Sequence, residues 1–318
     1  MRAATIVDGH LEVREHPDPV PGAGELLVGV KAAGLNSGDL MQVRGLYPAP
    51  PGWPPDIPGL ELAGEVIATG PGATRFTAGD RVMAVVGGGA QAELAVMHER
   101  EAMPVPLGVD WDAAGGFPEA FTTAHDALFT QCGLQMGESV LVHGAAGGVG
   151  TAGLQLAAAA GAWVTATVRN PELRDAVEAL GSVVGWTEVV ADDDFVTRGP
   201  YDVVLELIGA PNIASNLEAL NTGGRIAVIG IGGGAIAEVN LLALMGKRAR
   251  IHGSTLRARP LEQKAEAARR VERSVLPLLE AGDIQVPVAA RFPLDEAAQA
   301  YERFAAGGKL GKIVITFP

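Results

Sequence analysis

The sequence predicts an α/β protein of two domains: a doubly wound parallel-sheet domain that binds a dinucleotide, and a mostly β domain beside it. Three observations predict this. Residues 138–170 read as strand, glycine loop, helix and second strand, in register. Strands and helices then keep alternating as far as residue 253. On either side the style changes to short apolar runs separated by Gly, Pro and Asp.

In chain order, residues 3–7, 25–33, 62–68, 81–85 and 93–96 have the period and composition of short strands. Prolines 48, 50, 51, 54, 55 and 58 make an extended connection that fits either a cover over a cleft or a plain surface excursion. Residues 113–130 read as helix, with Pro118 at a first turn or at a break between two helices.

The centre is the stretch 140–170. An apolar strand at 140–143 leads into Gly144, Gly147, Gly148 and Gly150, and an Ala/Leu-rich helix follows at 151–160. Glycines between strand and helix let the backbone approach a pyrophosphate, whose charge meets free N–H groups and the positive end of the helix dipole. Ala145 stands where the fingerprint expects its first glycine, so the match is to the variant A-x-G-G-x-G. Ala146, Gly147, Gly148, Val149 and Gly150 are therefore candidate cofactor contacts. An acid at the end of the second strand would hold the ribose of NAD. Arg169 stands there instead, a residue that grips a 2′-phosphate, so NADPH is the expected cofactor. Asn170 and Arg174 are candidate helpers.

Further elements are a helix at 171–180, strands at 183–185 and 201–207, a helix at 213–220, a strand at 225–229, a helix at 241–247 and a strand at 250–253. The tail predicts a long amphipathic helix at 261–281, a strand at 284–292, a helix at 295–306 capped by Asp295, and a strand at 312–317. It is too small to fold alone. We expect it to pack on the first domain, giving one domain of residues 1–119 and 256–318 and a nucleotide domain of residues 120–255.

Composition narrows the function. A net charge of −13 with no basic stripe argues against nucleic acid. Cys132 is the one cysteine, which excludes an intrachain disulfide and any zinc site built from several thiolates. The start of the sequence has no signal-peptide pattern and no apolar stretch is long enough to span a membrane, so the cytoplasm is the expected location. The histidines, among them His143 beside the glycine loop, have no ligand spacing.

Several ordered stretches carry a resemblance: GLNSGDLMQVRGLYP (34–48), IPGLELAGEV (57–66), GDRV (79–82), PEAFTTAHDAL (118–128), HGAAGGVG (143–150), GGRIAVIG (223–230) and GKIVI (311–315). The sequence resembles the medium-chain dehydrogenase/reductase superfamily, in its zinc-free quinone oxidoreductase (zeta-crystallin-like) branch. The resemblance implies a GroES-like substrate domain, a Rossmann domain and a cleft between them. It also implies NADPH-dependent hydride transfer to quinones or α,β-unsaturated carbonyl compounds. An enoyl-thioester reductase, or an NADPH-binding protein with little turnover, are the other readings. Ser37 stands near where zinc alcohol dehydrogenases carry a ligating Cys, and Gly59, Leu60 and Glu61 stand for their Gly-His-Glu. No metal site is therefore expected.

By matching motifs, Tyr47 would orient the substrate oxygen and Asn36 would lie on the nicotinamide side, with Asp39 the third polar candidate. Asn36 equally fits a residue that satisfies a turn, and Asp39 one that caps the next helix. Thr123 matches a threonine near the nicotinamide, or serves as a mid-helix residue bonded to its own backbone. Ile208, Gly209 and Gly230 end strands, where doubly wound sheets bind ligands. Lys309 stands three residues before the lysine of the closing GK, where relatives often have a polar side chain, and fits either a charge near the cofactor or, the preferred reading, a solvated end; Arg257 and Arg259 stay open between cofactor and solvent. Relatives tend to be dimers or tetramers joined through the sheet edge, which residues 225–234 would provide.

Overall fold

A computed structural model describes residues 1–318 as two compact units, one of Met1–Thr122, Leu256–Ala281 and Val286–Pro318, the other of Thr123–Thr255 and Gly282–Gln285.

The first unit begins with a hairpin, β1 (Arg2–Val7) against β2 (His10–Glu15), turned by Asp8 and Gly9, both with positive φ. The sequence reading passed over β2. Next come β3 (Glu25–Gly34), α1 (Ser37–Val43), β4 (Glu61–Thr69), β5 (Arg81–Val85), β6 (Leu94–His98) and β7 (Met103–Pro104). The predicted 113–130 helix is divided: α2 (Trp111–Gly116), α3 (Pro118–His125), then a π-turn over Asp126–Gln131. Pro118 has no N–H to continue α2, which is why the break falls there.

The second unit is a six-stranded parallel sheet. Its strands are β8 (Ser139–Val142), β9 (Trp163–Thr167), β10 (Thr187–Val190), β11 (Tyr201–Glu206), β12 (Leu220–Val228) and β13 (Arg250–Gly253), in the order β10-β9-β8-β11-β12-β13. The connections carry α4 (Gly148–Ala159), α5 (Arg174–Ser182), α6 (Phe195–Arg198), α7 (Ile213–Ala219) and α8 (Leu241–Lys247). The chain runs outward from β8 to β10 and resumes at β11 on the other side of β8. That reversal is the switch point at which such sheets bind ligands, and this is the expected doubly wound arrangement. Gln155 on α4 holds the Gly282–Gln285 segment to this unit through Gln285 N (2.9 Å) and Gln285 O (3.0 Å).

The return to the first unit supplies α9 (Leu261–Ser274), α10 (Leu276–Ala281), β14 (Val288–Pro293), α11 (Ala297–Ala305) and β15 (Lys312–Thr316). β15 pairs antiparallel with β3 and parallel with β14, so the sheet runs β14-β15-β3-β4-β5-β7 with β6 also on β3. Its core gathers Leu26, Val28, Leu62 and Val82 with Ile313, Ile315 and Tyr301 from the tail.

Four expectations are corrected. Residues 183–185 are a turn after α5, not a strand: a Cβ on Gly185 would sit 2.6 Å from Ala158 O, and Val183 is 61% exposed. The 261–281 helix breaks at Val275, since Pro277 lacks the N–H that a continuous helix needs. Asp295 does not cap α11; it lies in the 3₁₀ turn Leu294–Glu296 and pairs with Arg2 at 2.9 Å. The sheet edge is β13, because β12 is enclosed between β11 and β13.

One buried ion pair fixes where the tail returns. The ammonium of Lys312, on β15, donates to Leu35 O (2.9 Å), Asn36 Oδ1 (2.7 Å) and Glu61 Oε1 (2.6 Å), and the Lys312 and Glu61 side chains are 3% and 0% exposed. Lys312→Met strands a buried carboxylate and is expected to cost about 3–5 kcal/mol. Adding Glu61→Gln, which removes the stranded charge and keeps one acceptor oxygen, for Asn36 or for Glu119, should recover part of that in urea unfolding. A single-variant loss below about 1 kcal/mol would show that the pair remains in contact with water.

Candidate functional site

In the second unit the cofactor candidates converge at the carboxyl end of the sheet. β8 ends at Val142, Gly144 turns with φ +60°, and Ala145 N donates to Thr167 O at 3.1 Å, locking the loop against β9. Gly147 caps α4 in an extended conformation. The N–H groups of Gly148, Val149 and Gly150 find no acceptor in the chain, so three donors stand open at the positive end of α4. A Cβ on Gly150 would lie 2.4 Å from Gly144 O, so only glycine lets the helix start this close to the loop. Ala146 is half-buried on the same loop. Ile208 Cδ1 lies 3.1 Å from the place a Cβ on Gly144 would take, and a Cβ on Gly230 would meet Leu207 O at 2.2 Å. Those contacts bring Ile208 and Gly230 to the same end of the sheet. The open donors and the close backbone fit a pyrophosphate.

Behind this end lies a network that the sequence reading did not single out. Glu206, fully buried, accepts from Ile208 N (2.6 Å), Gly209 N (2.8 Å) and Asn216 Nδ2 (2.6 Å). His143 Nε2 meets Asn216 Oδ1 at 2.7 Å and its Nδ1 meets Thr167 Oγ1 at 3.1 Å. Burial holds the His143 imidazole below its ordinary range despite Glu206 at 3.7 Å, and its two ring nitrogens brace Asn216 and Thr167 behind the loop. The available signal was the acid in YDVVLEL, a charge inside an otherwise apolar strand.

Arg169 is exposed beyond β9, and its guanidinium has no partner in the chain. Asn170 Oδ1 accepts from Glu172 N at 3.1 Å and caps the next turn, while Arg174 Nε donates to Val168 O at 3.1 Å. Arg169 is thus the free one of the two cations. Thr123 is 8% exposed on α3, at the start of this unit.

In the first unit, Asn36 is 9% exposed and fully engaged: Nδ2 donates to Glu61 Oε1 (2.8 Å) and Oδ1 accepts from Lys312. Asp39 is corrected as a candidate for contact with substrate. It is fully buried, and its two oxygens accept from Asn36 N (2.7 Å) and Gly59 N (3.0 Å), fastening the start of α1 to the loop before β4. Burial pushes its carboxyl up to about 7.

Tyr47 differs. It is half-buried and its hydroxyl makes no hydrogen bond. Arg257 settles as a buried residue: its guanidinium lies 4.9 Å from the Tyr47 ring centre and donates to Tyr47 O (2.8 Å), Gly87 O (2.8 Å) and Gln42. Burial, with the charge of Glu119, raises the Tyr47 phenol above its ordinary value while Arg257 opposes, so it stays protonated at neutral pH. The proline-rich connection is no plain excursion. Pro50, Pro51, Trp53 and Pro54 form one wall of a cavity of about 600 Å³ that Gly88 and Leu94 also line.

Comparison with known proteins agrees in both halves of the chain. The alcohol dehydrogenase GroES-like domain family model matches residues 22–130 and the zinc-binding dehydrogenase family model matches residues 184–315. A quinone oxidoreductase of Pseudomonas aeruginosa is 33% identical over 318 residues, covering 96% of this chain and 95% of its own length. An acryloyl-coenzyme A reductase of Metallosphaera sedula is 31% identical over 352 residues, covering 98% and 99%. Among solved structures, a quinone oxidoreductase of Pseudomonas syringae superposes with a TM-score of 0.85 at 28% identity, covering 100% of both chains. The residues here do not fit the zinc ion in the second family's description. No three His, Cys, Asp or Glu side chains come together, Ser37 and Leu60 offer no thiolate or imidazole, and Glu61 is bound by Lys312.

Asp39 gives the site a pH signature. Its folded value of about 7 lies above the ordinary 3.8, so the folded chain keeps a proton that the unfolded chain has released. Stability should fall as pH rises from about 4 to about 7 and level off above. Relative to Asp39→Asn, which cannot ionise, wild type is expected to lose about 2–4 kcal/mol across that window in urea unfolding. A constant difference would mean that Asp39 is ionised throughout.

Proposed function

We propose a reaction from one fact, that the chain belongs to the medium-chain dehydrogenase/reductase superfamily, in its quinone oxidoreductase branch. It is an oxidoreductase that uses a nicotinamide cofactor and acts on a small molecule. Our reading is that the cofactor is NADPH, that the acceptors are quinones or α,β-unsaturated carbonyl compounds, and that no metal takes part. The observation that carries the cofactor choice is Arg169, exposed and unpartnered where NAD-binding units carry an acid.

On this reading the N–H groups of Gly148, Val149 and Gly150 hold the pyrophosphate and Arg169 holds the 2′-phosphate. Thr123, Ile208 and Gly230 flank the rest of the cofactor, with Asn170 shaping the turn beside Arg169. Bound NADPH supplies the hydride. Tyr47 donates its free hydroxyl to the substrate oxygen as that oxygen gains charge, and its raised phenol keeps the proton shared while water completes the transfer. Asn36, gripped by Glu61 and Lys312, is a fixed polar wall rather than a mobile acid. Cytoplasmic residence belongs to the same reading: Cys132 is a buried free thiol, and no helix is long and apolar enough to cross a membrane. An enoyl-thioester acceptor is the second reading, favoured by the acryloyl-coenzyme A reductase relative.

The test is NADPH oxidation with a benzoquinone, a naphthoquinone, a simple enone and crotonyl-CoA, each repeated with NADH and after a chelator. Turnover that prefers NADPH and survives the chelator supports the reading, and the best acceptor separates its branches. NADPH binding without turnover on any acceptor would replace it with a binding protein. Arg169→Ala should raise KM for NADPH about 10–100-fold and leave KM for NADH unchanged; equal changes would remove Arg169 from the 2′-phosphate.

We also propose that a second copy covers the β13 edge. Ile236 (94% exposed), Leu241 (67%), Leu242 (78%), Met245 (72%) and Ile251 (38%) stand out along β13, α8 and the loop before it. Light scattering should give a dimer or tetramer, and Leu242→Glu with Met245→Glu a monomer of unchanged circular dichroism. A wild-type monomer at micromolar concentration would sink the proposal.

A further inference from the structure

We infer that Arg257 is the positioning residue for Tyr47: its guanidinium holds the ring in place and turns an uncancelled positive charge toward it. The inference rests on the reading that Tyr47 donates to the substrate oxygen.

Arg257 is 2% exposed, and its donors are spent on three separate segments of the first unit. Nη1 donates to Tyr47 O (2.8 Å), Nε to Gly87 O just beyond β5 (2.8 Å), and Nη2 to Gln42 on α1. Gln42 extends the hold, since its Nε2 donates to Pro55 O at 3.1 Å. The planar fork therefore ties α1, Tyr47 and the chain after β5 to one point, which a lysine ammonium on a flexible stem does not reproduce. The ring is fixed from α1 as well. A Cβ on Gly38 would meet Tyr47 Cδ1 and Cε1 at 3.3 Å, so any larger residue there would push the phenol aside.

The charge is the second part of the argument. The guanidinium carbon lies 4.9 Å from the Tyr47 ring centre, within cation–π range. All three of its acceptors are neutral oxygens, so no bonded carboxylate cancels it. Burial and the charge of Glu119 on α3 hold the phenol proton more tightly, and Arg257 opposes them. Asp39 on α1, Glu119 and Tyr301 on α11 are the other titratable groups that act on Arg257. The oxygens of Asp39 are already taken by Asn36 N and Gly59 N. As the substrate oxygen gains charge and draws the shared proton, the phenol oxygen gains negative character. A desolvated cation beside the ring stabilises that change.

The experiment assays Arg257→Met, Arg257→Lys, Tyr47→Phe and the Arg257→Met/Tyr47→Phe double variant with NADPH and the best acceptor. Arg257→Met should lose about tenfold or more in kcat with KM for NADPH unchanged. In the Tyr47→Phe background the same substitution should cost less than about twofold, which a general loss of packing would not give. Arg257→Lys should lose about threefold and stands in if the Met variant does not fold. A second reading needs no turnover. Of the three tyrosines, Tyr201 is pushed up to about 12 and Tyr301 well above its ordinary value, so the first tyrosinate in an ultraviolet titration is that of Tyr47. Its midpoint should rise by at least about half a pH unit when Arg257 is replaced. Loss of activity in Tyr47→Phe, with wild-type kcat and an unmoved midpoint in the Arg257 variants, overturns the inference and leaves the role of Tyr47 standing. Wild-type turnover in Tyr47→Phe overturns both.

Discussion

The first unit depends on one desolvated contact, that of Lys312 with Glu61. Taking both charges out of water is costly, and only a fully bonded arrangement offsets it. Glu61 meets that demand by also accepting from Asn36 Nδ2 and, at 2.8 Å, from Glu119 N, while Lys312 adds Leu35 O and Asn36 Oδ1. The pair therefore does more than join β15 to β4. It fixes the entrance to α1 and the first turn of α3 at the same point, and it dictates a neighbour: a Cβ on Gly34 would lie 2.3 Å from Glu61 Oε1, so β3 must end in glycine. Residues 251 positions apart meet there, which is why the tail cannot pack anywhere else on this sheet.

The second unit solves a similar problem with a buried acid at a strand end. Glu206 gathers the amides that follow β11 and, through Asn216, orients His143 behind the glycine loop. In both units the charged groups of the interior have their partners, and a few groups nearer the surface do not. The N–H groups of residues 148–150, the Arg169 guanidinium and the Tyr47 hydroxyl are open, as are scattered buried atoms such as Gln91 Nε2, Thr187 Oγ1 and His252 Nε2. Of these, the three N–H groups stand together at one helix start, where an anionic ligand would complete the bonding.

How legible this was follows from what each feature depends on. The strand, glycine turn and helix start of residues 139–159 were legible because they are local: a strand end, a turn without side chains and a helix start occupy consecutive residues. The β2 hairpin was equally local, announced by Asp8 and Gly9 between alternating residues, and was overlooked. Burial is not local. Nothing in NSGDL says that Asp39 is sealed beneath Gly59, which lies 20 residues on. Residues 183–185 failed for a different reason, since two adjacent valines fit the end of a helix as well as a strand. The edge strand, too, was a property of sheet order, which no single segment encodes.

The donor set also bears on which acceptors suit the proposed reaction. A Lewis acid lets an enzyme reduce an ordinary ketone by stabilising the alkoxide that forms. Here Leu60 and Ser37 give no ligands, Glu61 is committed to Lys312, and the remaining stabiliser is a neutral phenol whose proton is held more tightly than usual. One such hydrogen bond offsets only part of a developing charge, which suffices where the charge is already delocalised and falls short where it sits on one oxygen. Enolates and hydroquinone anions spread their charge; simple alkoxides do not. On the proposed reading, a site without metal ligands therefore favours conjugated acceptors over simple ketones.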